Sequence, residues 1–125
     1  MTKYLPDTNI FIRTATGDES ESHFLRTAIE KKQLVISVIV AGEFLAKAAP
    51  DEGQQFNKLL AQFKTLDIDI EVARQASLYR KESLKSTRVA IMDCFLAAQA
   101  KLNHLTLVTN NRADFPMKDI KVISP

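Results

Sequence analysis

The alternation of apolar and polar positions changes period several times along this chain, and each change marks an element. "KYL" (residues 3–5) is a short apolar opening that predicts a strand. "SESHFLRTAIEKKQ" (20–33) sets Phe24, Leu25, Ala28 and Ile29 on one face of a helix. "LVISVIV" (34–40) is unbroken, apolar and β-branched, which predicts a strand covered on both sides. "AGEFLAKAA" (41–49) reads as a helix stopped by Pro50. Asp51 is the predicted N-cap of the next helix, whose Phe56, Leu59, Leu60 and Phe63 recur at helical spacing.

"LDIDI" (66–70) alternates with period two, as a half-buried strand does. Residues 71–85 form a charged helix and "VAIMDCFLAAQAKL" (89–102) a strongly apolar one. "LTLVT" and "IKVIS" close the chain as strands. Strands and helices taking turns in this way predict an α/β fold, a three-layer α/β/α sandwich on a mostly parallel central sheet. Functional groups in such folds gather at the carboxyl ends of the strands, where the strand order reverses. With three glycines, four prolines and no repeat or linker, residues 1–125 read as a single domain.

Composition narrows the picture only slightly. The 125 residues are 46% apolar and 26% charged, ordinary for a globular protein. A net charge of +2 leaves any polyanion to be held by a local patch. The lone Cys94 excludes an internal disulfide and fits a reducing compartment. No apolar run reaches membrane-spanning length and the N-terminus lacks a signal peptide's apolar core. A cytoplasmic protein without a membrane partner is the expectation.

The strand-end rule gives the acids a meaning. Asp7 follows the first strand, and Glu43 stands just past the long β-branched run. Asp93 lies in the helix leading to "LTLVT", and Asn111 and Asp114 lie directly after that strand. Alone, Asp7 is equally a helix N-cap, Glu43 a carboxylate favoured in a first helical turn, and Asp114 a turn residue. Asp93, set among Ile91, Met92, Phe95 and Leu96, is harder to account for, because burying a lone carboxylate is costly. Taken together, the four acids point to one site.

In their order and spacing these segments resemble the PIN domain family, and within it the short VapC-type toxins of toxin–antitoxin pairs. "DTNIF" is similar to the opening motif, "SVIVAGEF" to the second and "MDCFLAAQA" to the third. "LVTNNRADF" with "IKVISP" resembles the closing motif and last strand, so that the likeness covers nearly the whole chain. Asp7, Glu43 and Asp93 fall on the family's acidic positions. The fourth falls on the neutral Asn111, with Asp114 the nearest carboxylate, and either completes the site.

The resemblance implies a metal-dependent endoribonuclease that leaves 5′-phosphate and 3′-hydroxyl ends. It also implies a cognate antitoxin lying over the acidic groove, and a homodimer. The residues agree with a metal. Two carboxylates about 4 Å apart repel by roughly 4 kcal/mol at an effective dielectric near 20, and a divalent cation removes that repulsion. Oxygen-only ligands suit Mg²⁺ or Mn²⁺, and neither His23 nor His104 has a zinc spacing. Thr8, Asn9, Ser37, Thr109 and Asn111 are the candidates for orienting the carboxylates or their waters; each is also an ordinary turn or cap residue.

An RNA substrate needs cations. "RQASLYRKESLKSTR" leads into Asp93 and offers Arg80, Lys81, Lys85 and Arg88 as phosphate contacts, with a solvated helix face the equal alternative. Other phosphoryl-transfer families fit less well. Dehalogenase-like phosphatases want a second acid two residues after the first, where Asn9 stands, and receiver domains want a lysine where "TNN" stands. Cys94 reads as a core residue rather than a nucleophile. A catalytically weak RNA-binding or regulatory module is the alternative to the enzyme.

Overall fold

The computed structural model describes residues 1–125. Five short strands, β1 (Tyr4–Pro6), β2 (Ile36–Ser37), β3 (Thr65–Leu66), β4 (Thr106–Val108) and β5 (Lys121–Ile123), alternate with six helices. The helices are α1 (Thr8–Ala15), α2 (Glu19–Glu30), α3 (Val38–Lys47), α4 (Pro50–Gln62), α5 (Ile70–Ser83) and α6 (Ile91–Leu102).

Every strand pair is parallel. β1 lies beside β4 with Leu5 opposite Leu107, and β4 lies beside β5 with Leu107 opposite Val122. β2 pairs with β3, and the bridge between Tyr4 and Leu34 joins that pair to β1. The order across the joined sheet is therefore β3-β2-β1-β4-β5. Chain progression reverses between β1 and β4, which makes their carboxyl ends the switch point of the sheet. The sheet's interior strands are closed to water: Leu5, Ile36, Leu107 and Val108 are fully buried. Pro6, without an N–H to give, ends β1, where its missing donor costs the ladder little.

Around the sheet, α1 packs against α2 and α3, and α5 against α6. Phe11 of α1, Phe44 of α3 and Phe56 of α4 fasten three helices together. Phe44 stacks on Phe56 at 4.6 Å between ring centres, and Phe11 meets Phe56 edge-on at 5.3 Å. Such pairs contribute roughly 0.5–1.5 kcal/mol beyond the area they bury. Two helices end in the same way, with one residue in the left-handed region: Lys32 (φ 56°) after α2 and His104 (φ 55°) after α6. In each case that residue's own N–H and the next one turn back to the last helical carbonyls and aim the chain at a strand, as in His104 N–H to Lys101 and Leu105 N–H to Ala100.

Several elements depart from the expectation. "LVISVIV" is not one strand: β2 stops at Ser37, and Val38 begins α3. The Ser37 hydroxyl accepts the Ile39 N–H at 3.1 Å and so caps the helix, a polar signal that the apolar run around it conceals. Pro50 does not merely stop α3; it opens α4 as a first-turn proline, and the Glu52 carboxylate accepts the Ala49 N–H. Asp51 is thus inside the helix rather than its cap. "LDIDI" is strand only at Leu66, because Asp69 accepts the Val72 N–H and starts α5. Ile68 and Ile70 are consequently exposed. The helix α1 had no counterpart in the hydrophobic pattern.

Candidate active site

Asp7 turns out to have two roles at once. It follows β1, where its N–H is held by the Val108 carbonyl, and one carboxylate oxygen caps α1 through the Ile10 N–H. The other accepts the Thr109 hydroxyl from the end of β4. The cap and the site are the same carboxylate, its two oxygens divided between a helix and a neighbouring strand.

Asp7, Glu43, Asp93 and Asp114 all line one cleft of about 250 Å³ at this edge. Glu43 comes from α3, and its Oε1 accepts the Thr8 hydroxyl at 2.6 Å. Asp93 enters from the first turn of α6. Asp114 is carried by the 3₁₀ turn Arg112–Asp114 after β4, and so reaches the wall that the preceding Asn111 does not line. The chain segments are far apart in sequence, and the parallel sheet makes them neighbours.

The electrostatics of the cleft are those of uncompensated negative charge. Burial pushes the Asp93 carboxyl from 3.8 up to about 6, and the charges of Asp114, Asp7 and Glu43 add to the effect. Asp7 is raised as well, chiefly by burial and against the lowering influence of its Thr109 and backbone hydrogen bonds. No cation offsets either group. No group of three carboxylate, histidine or cysteine side chains is drawn close enough to hold a cation together. The set is nonetheless all-oxygen and open on one side. That suits a hard cation such as Mg²⁺, which keeps several waters and uses one or two carboxylates.

The other expected residues divide. Thr8 and Thr109 each hold an acid of the cleft, and Asn9 lines it. Asn111 instead gives its N–H to the Thr109 hydroxyl, so it steadies Thr109 through its backbone. Ser37 does not reach the carboxylates: it is fully buried, donates to Gln99 Oε1 at 2.6 Å and caps the helix that carries Glu43. Among the expected phosphate contacts, Arg80 is turned inward onto the Val89 carbonyl, which ties α5 to the segment before α6. Lys85 pairs with Glu82 at 3.4 Å. Lys81 and Arg88 are exposed and make no ion pair. Cys94 is fully buried and its thiol is raised mainly by burial, as a core residue's would be.

Two residues were missed. Lys47 lines the acidic cleft, and its place one helical turn after Glu43 was the available signal. Glu21, in the first turn of α2, is buried and accepts the Asn110 amide at 2.7 Å, which pins the loop between Thr109 and Asp114. No local pattern joins residues so distant in sequence. No helix is long and apolar enough to cross a membrane.

Comparison with known proteins agrees with this architecture. The PIN domain model matches residues 4–121. Ribonuclease VapC10 of Mycobacterium tuberculosis is 28% identical over 114 residues, covering 90% of this chain and 86% of that protein. The chain of the DNA-bound VapBC structure from Salmonella typhimurium superposes with a TM-score of 0.81 at 27% identity, over 99% of this chain and 98% of the other. A toxin–antitoxin complex from Klebsiella pneumoniae gives 0.78 at 27% identity, over 97% and 96%.

Proposed function

The chain belongs to the PIN domain family, and on that premise we propose that it is the endoribonuclease toxin of a VapBC-type toxin–antitoxin pair. Four carboxylates from separate segments share one cleft, the Asp93 carboxyl is driven to about 6, and no ion pair forms with any of the four. That arrangement is the observation that carries the reading. It costs stability in the free chain, and it suits a divalent cation and a phosphodiester.

Asp7, Glu43 and Asp93 would hold Mg²⁺ or Mn²⁺, with Asp114 completing the acidic wall. A bound divalent ion supplies charge neutralisation at the phosphate and lowers the pKa of water. The chain's own contribution is orientation. Thr109 and the Ile10 N–H fix the two oxygens of Asp7, and Thr8 fixes Glu43, so the acids keep their places despite mutual repulsion. In the hydrolysis a water oxygen bonds to phosphorus and the bond from phosphorus to the 3′ oxygen breaks. That oxygen takes up a proton, leaving 5′-phosphate and 3′-hydroxyl ends.

A neutral fourth corner would favour a non-catalytic binding module, and the Asp114 carboxylate on the cleft wall favours the enzyme instead. The kinship with VapBC complexes supports a cognate antitoxin as partner. A homodimeric, cytoplasmic toxin is part of the same proposal and rests on the family resemblance alone. The test is cleavage of structured RNAs by the purified chain with Mg²⁺, with chelator, and with Asp7→Asn and Asp93→Asn variants. Cleavage that needs the cation and both acids is expected. Cleavage that persists in chelator or in both variants contradicts the reading.

A further inference from the structure

Lys47 is the one cation on the wall of the acidic cleft. It stands four residues after Glu43 on α3, so both side chains leave the same face, about 6 Å apart along the axis. It is exposed and makes neither an ion pair nor a side-chain hydrogen bond. It also does not offset the charge felt by Asp93 or Asp7. A lysine in a last helical turn is favoured by the helix dipole alone. That favour explains its presence on α3, but not its place on the wall of a cleft whose other charged groups are all acids. Its chain also borders a recess of about 180 Å³ with Ile12, Phe44 and Glu52, the last from the first turn of α4. Glu52 accepts the Ala49 N–H and makes no ion pair with Lys47, so the ammonium is left available to a ligand.

Resting on the ribonuclease reading, we infer that Lys47 holds a backbone phosphate of the bound RNA, flanking the phosphate attacked in the cleft. The acids repel a polyanion everywhere except where a cation receives it. One turn beyond Glu43 is far enough to leave the carboxylates to the attacked phosphate, and near enough to serve the same strand. A contact of this kind positions RNA without reading its sequence.

The test uses the full chain and a short single-stranded RNA of randomised sequence. Binding is measured by fluorescence anisotropy across a salt series in the Asp93→Asn background, and cleavage of the same RNA by the unaltered chain is scored beside it. Lys47→Gln is expected to weaken binding roughly tenfold and to lower the salt slope by about 0.7, with Lys47→Arg restoring both. Unchanged affinity and slope in Lys47→Gln, with the unaltered chain still cleaving, overturn the inference and leave the ribonuclease reading standing. A lowered melting temperature with an unchanged slope also overturns it, since that is the mark of the helix dipole alone. An unaltered chain that neither binds nor cleaves the RNA overturns both.

Discussion

Glu21 and Asp93 are both carboxylates drawn away from water, and the fold treats them in opposite ways. Glu21 is buried, receives the Ser20 hydroxyl at 2.6 Å and the Asn110 amide at 2.7 Å, and lies 3.9 Å from Arg13. The Ser20 bond leads in holding its carboxyl below the usual range, against the opposing effect of burial. Asp119 is served similarly by Lys101 at 2.6 Å and Tyr79 at 2.7 Å, and is lowered although burial opposes it. Asp93 makes no side-chain hydrogen bond and faces three other acids, and its carboxyl rises to about 6. This chain therefore can satisfy a buried acid with its own side chains, as Thr109 does for Asp7 within the cleft, and at Asp93 it does not. The difference separates acids that the fold partners from one that it leaves unpartnered.

The largest expected effect sets the two against each other in activity. Asp93→Asn should lower RNA cleavage by on the order of 10²-fold or more while raising the melting temperature of the metal-free protein, because it removes one of the repelling charges. Glu21→Gln should do the reverse. It should lower the melting temperature by a few degrees, and its cleavage should fall less than that of Asp93→Asn. If both variants lost stability and activity alike, the two acids would not differ in kind.

A smaller effect lies in the pH dependence of stability, followed by thermal melts of metal-free protein. Between pH 3.8 and about 6 the native chain keeps a proton on Asp93 that the unfolded chain releases. Its stabilising contribution is complete below 3.8 and is lost as pH rises through about 6. Glu21 has the opposite sign: its contribution is present above 4.5 and is lost as pH falls. Asp93→Asn should flatten the first slope and Glu21→Gln the second. Matching pH profiles for the two variants would erase the contrast.

Much of the candidate site was legible because Asp7 and Asp93 stand at element boundaries, where a strand-end rule applies to a sequence directly. Glu43 is different: α3 begins at Val38, so this acid lies in the middle of the helix rather than in its first turn, and it still reaches the cleft. The fourth corner was not legible, since Asn111 and Asp114 both follow β4. Only the 3₁₀ turn at Arg112–Asp114 decides which of them lines the cleft. "LVISVIV" misled because an apolar run carries no period, and Ser37, its sole polar residue, caps a helix while remaining buried. Arg80 looked like a surface cation because its bond to Val89 depends on how the segment before α6 folds back. Glu21 was silent for the same reason, its partner Asn110 arriving from another part of the fold.

The central claim, that the cleft's negative charge is left for a divalent cation, is tested most directly by melting metal-free protein against increasing Mn²⁺. At a hundredfold excess over the dissociation constant, binding to the native state alone stabilises it by about 2.7 kcal/mol. The melting temperature should rise by several degrees, and Asp93→Asn should remove most of that rise. A melting temperature that does not move with Mn²⁺, in a sample shown to be free of metal, would contradict the account.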